Sequence, residues 1–250
     1  MVALKMEKIV NRLLIVSLIL AVVFGGLAFV FRDYPHDPVA GGEFGFPLQQ
    51  YLDIDLQRLD VSLIPYDGEG IIVEYKNDRP LEMEIGDNEL IITESDEFIV
   101  SLFAGSEAEF GVRIYLPETA YRDISIYTAT GSVNVGSLEC QKLSVVTESG
   151  NITLQSVTYP LSLSTTKGRI YADMDEVVGG TEILNREGSV DLTVPREVSF
   201  AVDFKTKDGQ CRSDLIRQQI YGDFLYSFNG GKQQISVTAE HGTFTLNERK

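Results

Sequence analysis

Thr128-Ala129-Thr130-Gly131-Ser132-Val133-Asn134-Val135 is answered by Thr147-Glu148-Ser149-Gly150-Asn151-Ile152-Thr153-Leu154. It is answered again by Thr165-Thr166-Lys167-Gly168-Arg169-Ile170-Tyr171-Ala172. Weaker copies centre on Gly188, Gly209 and Gly242, so that successive glycines lie 19, 18, 20, 21 and 33 residues apart. A period near twenty, with apolar residues alternating inside each copy, predicts an all-β chain in which each repeat forms one rung of a stack. The expected architecture is a single-stranded β-solenoid, right-handed and β-helix-like.

The alternation fixes which side chains face the core. Residues two apart on a strand share a face. After each glycine the inward pairs are Val133/Val135, Ile152/Leu154, Ile170/Ala172, Val190/Leu192, Cys211/Ser213 and Phe244/Leu246. Before it they are Ile124/Ile126, Leu143/Val145, Leu161/Leu163, Thr181/Ile183, Val202/Phe204 and Ile235/Val237. Each rung therefore supplies two short strands joined by a glycine turn, where positive φ is expected of the glycine. Three residues before the glycine stand Thr128, Thr147, Thr165 and Thr206, with Asn185 and Ala239 as departures. A column of hydroxyls at a turn can bind backbone groups of neighbouring rungs.

Upstream of the repeats the pattern loosens. Strands are expected at Val61–Ile64, Ile71–Tyr75, Leu81–Ile85, Leu90–Thr93 and Val112–Leu116, with a hairpin turn at Gly86-Asp87-Asn88-Glu89. This half reads as the start of the solenoid, capping an edge that would otherwise be exposed. The long interval before Gly242 carries Tyr221, Phe224, Tyr226 and Phe228. These four form either an interaction surface or a loop or short helix packed over the flank.

Residues 13–31 (LLIVSLILAVVFGGLAFVF) are uncharged and largely apolar. As a helix they would measure roughly 28 Å, close to the hydrocarbon thickness of a bilayer. Lys5, Lys8 and Arg12 precede them, which puts residues 1–12 in the cytoplasm and the remainder outside. No small-x-small cleavage site follows, so residues 13–31 are expected to be an uncleaved transmembrane signal-anchor. Residues 32–51, rich in Pro and Gly, read as a tether, and 52–250 as the extracytoplasmic solenoid domain.

Charge excludes several functions. The chain has 21 Lys and Arg against 37 Asp and Glu, a net charge of −16. Leaving out the three bases and one acid of the first 31 residues gives 18 against 36, or −18 outside. Nucleic acid and anionic head groups are not expected partners for such a surface. The two cysteines, Cys140 and Cys211, fall about 3.5 rungs apart, roughly 17 Å, which is too far for a disulfide.

Some β-helices cleave polysaccharides with carboxylates grouped on one outer strand. Here the outward positions are Ser132/Asn134, Asn151/Thr153, Arg169/Tyr171, Ser189/Asp191, Gln210/Arg212 and Thr243/Thr245, with one carboxylate among them. A glycosidase needs a spaced pair. Asp173 and Asp175 read as turn residues. The only histidines, His36 and His241, give no metal site or triad. No catalytic residue, cofactor or metal is expected.

The repeated T-x-x-G-x-I/V-x-L/V rungs, the Leu-Pro closing the strand Gly111–Leu116, and the final GGKQQISVTAEHGTFTLNE resemble a known group. They are similar to the bacterial putative-adhesin family, β-strand-repeat domains of unknown function. Some members, of the LiaG type, are membrane-anchored and encoded with envelope-stress regulators. The resemblance covers roughly residues 52–250 and carries no catalytic residues. The expected function is a non-enzymatic, membrane-anchored adhesion or interaction module, or an accessory to envelope sensing. It would touch the bilayer through its helix and an envelope protein or cell-wall polysaccharide through its domain. The alternative is a carbohydrate-active β-helix enzyme.

Overall fold

The computed structural model describes residues 40–77, 80–95, 111–216 and 218–249. The expected signal-anchor, 13–31, lies outside them. Among the described residues no helix is long and apolar enough to cross a membrane.

The described residues are all β and form a curled, open, solenoid-like sheet of 18 strands. Before the repeats come β1 (Ala40–Phe46), β2 (Tyr51–Leu56), β3 (Asp60–Tyr66), β4 (Ile71–Asn77), β5 (Leu81–Ile85), β6 (Glu89–Glu94) and β7 (Gly111–Pro117). The regular rungs follow: β8 (Ala120–Thr128) with β9 (Val133–Val135), β10 (Glu139–Ser149) with β11 (Ile152–Val157), β12 (Leu161–Met174) and β13 (Thr181–Val194). The rest are β14 (Phe200–Lys205), β15 (Gln210–Ser213), β16 (Gln218–Tyr221), β17 (Phe224–Phe228) and β18 (Gln234–Glu248).

Two columns of strands face each other. The first runs in space β5, β6, β2, β8, β10, β12, β13, β18, β14, β17. The second runs β1, β4, β7, β3, β9, β11, β12, β13, β18, β15, β16. Strands β12, β13 and β18 continue through the glycine bend and serve both columns. All 24 inward residues read from the repeat are buried. Each large aliphatic among them contributes roughly 1.5–3 kcal/mol of gross burial, and together they make one continuous core.

The stacking order departs from the sequence order at both ends. The last strand, β18, is parallel to β13 on one side and to β14 and β15 on the other. The final repeat is thus wedged inside the stack, and the spatial order of the glycines is Gly188, Gly242, Gly209. At the other end the β2–β3 rung lies between β6–β7 and β8–β9. A parallel neighbour satisfies a repeat equally well whatever its place in the chain, so the sequence alone could not order them.

Antiparallel strands close both ends. β5 pairs β6, and β1 and β7 flank β4; β17 pairs β14, and β16 pairs β15. Two expectations change accordingly. Within the span 32–51 read as a tether, Ala40–Phe46 is instead a strand and Tyr51 begins the next. The aromatic-rich interval is neither a loop nor a short helix, but two edge strands. The expected hairpin at 86–89 is present, with the Gly86 N–H donating to the Glu89 carbonyl at 2.8 Å.

Candidate functional site

The six repeat glycines form a spine along the bend. A Cβ on Gly131 would stand 1.9 Å from the Leu59 carbonyl oxygen, on Gly150 2.0 Å from that of Gly131, and on Gly168 2.1 Å from that of Gly150. The next distances are 1.9 Å for Gly188 to Gly168, 1.9 Å for Gly242 to Gly188 and 2.5 Å for Gly209 to Gly242. Positive φ, expected for all six, occurs only at Gly168 (147°) and Gly188 (142°). Close backbone approach is what the six share.

Threonines brace this spine. The Thr128 hydroxyl donates to the Leu59 carbonyl at 3.3 Å and accepts the Gly131 N–H at 3.1 Å. Thr147 donates to the Gly131 carbonyl (3.2 Å), and Thr165 to that of Gly150 (3.3 Å). Asn185 takes over the same task toward Gly168 at 2.9 Å. Thr206 donates to Glu240 at 3.3 Å and accepts the Gly209 N–H at 2.6 Å. Thr147 is buried, so Thr147→Val leaves an acceptor without its side-chain partner. We expect it to lower unfolding free energy by about 1–2 kcal/mol in urea titrations.

The outer face of the second column runs beside this spine. One row reads Glu74, Arg113, Ser62, Asn134, Thr153, Tyr171, Asp191, Thr245, Arg212, Gln219 across successive strands. A second row reads Ser132, Asn151, Arg169, Ser189, Thr243, Gln210. Part of this polarity is structural. The Ser132 N–H donates to Asp60 Oδ1 (2.7 Å), that of Asn151 to Ser132 Oγ (3.4 Å), and that of Arg169 to Asn151 Oδ1 (2.9 Å). The side-chain groups beyond these bonds face solvent. A shallow depression of about 620 Å³ lies here, lined by Asn151, Thr153, Gly168, Arg169, Gly188 and Ser189. Arg169 donates to Ser189 Oγ at 3.1 Å and stands 3.4 Å from Asp191. The carboxylate of this stretch is therefore neutralised in place.

Asp173 and Asp175 are also occupied. Arg249, just beyond β18, donates to the Asp173 carboxylate and to Asp175 Oδ1 at 2.6 Å. Asp173 lies on β12 rather than in a turn. His241 Nδ1 is 2.8 Å from Asp208 Oδ1 on an exposed bend, and His36 lies outside the described residues. Among the described residues no group of three or more His, Cys, Asp or Glu could hold a metal ion.

The four aromatics divide between two roles. Phe228 is buried and stacks on Phe200, with centroids 4.7 Å apart, and half-buried Phe224 packs on Phe204 at 5.3 Å. These two close the core. Tyr221 and Tyr226 are exposed.

Cys140 and Cys211 are free. Their rungs are four apart in space because β18 is interposed. Burial pushes both thiols up to about 12. Both stay protonated in the fold at pH values where an unfolded thiol ionises. Stability is full below the unfolded pKa, near 9, and falls as pH rises from there toward 12. We expect negligible alkylation of native protein by iodoacetamide at pH 8 and rapid modification of two thiols in urea, read by mass spectrometry.

The family model described as Toastrack DUF4097 matches residues 50–159 and 118–247. No curated protein matches. Among solved structures, a putative cell adhesion protein from Clostridium sporogenes ATCC 15579 is 12% identical, with a TM-score of 0.51, covering 84% of this chain and 100% of its own. A putative adhesin from Parabacteroides distasonis ATCC 8503 gives 10% identity and a TM-score of 0.37, covering 84% and 97%. One from Bacteroides fragilis NCTC 9343 gives 10% and 0.33 over the same shares. Likeness at this level concerns the fold.

Proposed function

The chain belongs to the Toastrack DUF4097 family, and on that premise we propose a non-enzymatic interaction module anchored in the cell membrane. In this reading residues 13–31 span the bilayer and the domain stands outside, wound as a right-handed solenoid as parallel crossovers favour. Its working surface is the outer face of the second column. Its ligand is an extended, uncharged stretch of cell-wall polysaccharide.

One observation carries this reading. In a chain of net charge −16, the face from Ser62 to Thr245 offers hydroxyls, amides, an aromatic ring and one arginine. Of its carboxylates, Asp191 is held by that arginine and Asp173 by Arg249, while Asp60 accepts the Ser132 N–H. Such a surface makes many weak, directional contacts at a repeat of about 4.8 Å. Free carboxylates clustered there would suit hydrolysis, whereas aspartates each engaged by a neighbour suit holding. The adhesion named for the C. sporogenes structure agrees with this use of the fold.

The test is co-sedimentation of the protein with purified cell-wall sacculi. We expect Arg169→Ala combined with Tyr171→Ala to weaken binding at least tenfold, with thermal stability little changed because both side chains leave the core intact. Wild-type protein that stays in the supernatant, or a double variant that binds normally, would refute the site. Release of soluble sugar during incubation would refute the non-enzymatic assignment. Protease treatment of intact cells checks the topology: the domain should be shaved off, and protection would place it inside.

A further inference from the structure

We infer that the β16–β17 end of the sheet docks onto the same end of a second copy, forming a closed two-fold dimer. The two ends of the stack differ in a way that selects this pairing. Among the described residues each ends in strands that pair on one side only: β1 and β5 at one end, β16 and β17 at the other. Unpaired strand edges recruit further strands unless charge or covering prevents it. At the β1–β5 end prevention is built in, with Glu43 on β1 and Glu82 and Glu84 on β5. At the other end, Gln218–Tyr221 and Phe224–Phe228 contain no charged residue.

Exposure follows the same division. Tyr221 is 73% exposed, Leu225 70% and Tyr226 43%. Tyr226 lies opposite Val202, which is fully buried, so it sits on the core side of its strand. Phe224, on the same side, and Ile220, opposite buried Cys211 on β15, are only partly covered. The last apolar layer of the core is thus left half open, as happens when a stack ends without a polar cap. Phe44, Leu48 and Ile85 are exposed near the opposite end, but docking there would bury three carboxylates with no base on either edge to meet them. Head-to-tail stacking is disfavoured for that reason. Two copies of an uncharged β17 edge can instead pair antiparallel about a two-fold axis, extending the sheet and covering Leu225 and Tyr226. A two-fold contact closes on itself and stops at two.

Light scattering of the full chain in mild detergent tests this, with the detergent mass subtracted. The wild type should have the mass of two chains. Leu225→Lys with Tyr226→Lys should raise the dissociation constant at least tenfold, and Ile85→Lys should leave it unchanged. Leu225→Cys gives a second measurement that does not depend on disrupting the edge: mild oxidation in membranes should produce a covalent dimer, while Ile85→Cys should produce none. A wild-type monomer overturns the proposal, as does a larger assembly, a dimer indifferent to the lysines, or cross-linking through Ile85→Cys. This surface is separate from the polysaccharide face, so failure of either experiment leaves the other standing.

Discussion

Gly188→Ala is expected to destabilise the domain by about 3 kcal/mol or more, because two penalties of roughly 1–3 kcal/mol each coincide there. The residue has φ of 142°, where an L side chain is strained. Its Cβ would also stand 1.9 Å from the Gly168 carbonyl oxygen. That oxygen is backbone, pinned in a parallel ladder and by the Asn185 amide, so it cannot swing aside as a side chain would. Relief requires β12 and β13 to separate, which opens the core in both columns. Two further glycines separate the penalties. Gly180 has φ of 83° but open space around its would-be Cβ, so Gly180→Ala should cost only the strain, about 1 kcal/mol. Gly45 has neither positive φ nor a near neighbour, and Gly45→Ala should be neutral or slightly stabilising. For a domain of this size the first change corresponds to a fall in Tm of roughly 6–12 °C. Calorimetry on the three variants gives the ranking, and equal effects at Gly188 and Gly45 would refute the stacked-carbonyl account.

The same glycines mark the limit of what one dimension reveals. Period-2 alternation around the glycines identified the inward residues because burial acts on every rung alike, and even polar Thr181 and Ser213 obey it. The bracing role of the threonines was legible too, since a hydroxyl column beside a bend has few other uses. The cause of the glycines was not. A residue excluded by its own φ and one excluded by a neighbouring strand look identical in one dimension. The edge strands were hidden differently: AGGEFGF is broken by three glycines and QQIY is only four residues long, and each pairs with a strand, β4 or β15, that presents an edge to it. The outer face was located by alternation, but its use was not, because Ser132 and Asn151 spend part of their polarity on backbone N–H groups of adjoining strands. That Asp191 is already engaged emerges only when Arg169 is seen against it.

Phe244→Ala is expected to cost about 3–5 kcal/mol and, more tellingly, to loosen strands that precede it in the chain. In a solenoid stacked in sequence order, damage to the last repeat frays the last repeat. Here β14 and β15 reach the body of the sheet only through β18; their other neighbours are the edge strands β17 and β16. Phe244 is fully buried and stacks on Phe204 of β14, with centroids 5.4 Å apart. Removing the ring empties space between the wedge and everything beyond it. Hydrogen exchange should therefore lose protection together across 200–213 and 234–248, while β8 to β11 keep theirs. Leu81→Ala supplies the contrast. Leu81 is buried on β5, which among the described residues pairs only with β6, so its loss should be confined to those two strands. The wedge also makes folding non-local, since β13, β14 and β15 cannot complete their ladders until β18 has arrived, and closing such distant contacts slows the rate. Loss of protection confined to β18 would mean that β14 and β15 hold to the stack by some other route, and the insertion of the final repeat would have no energetic consequence.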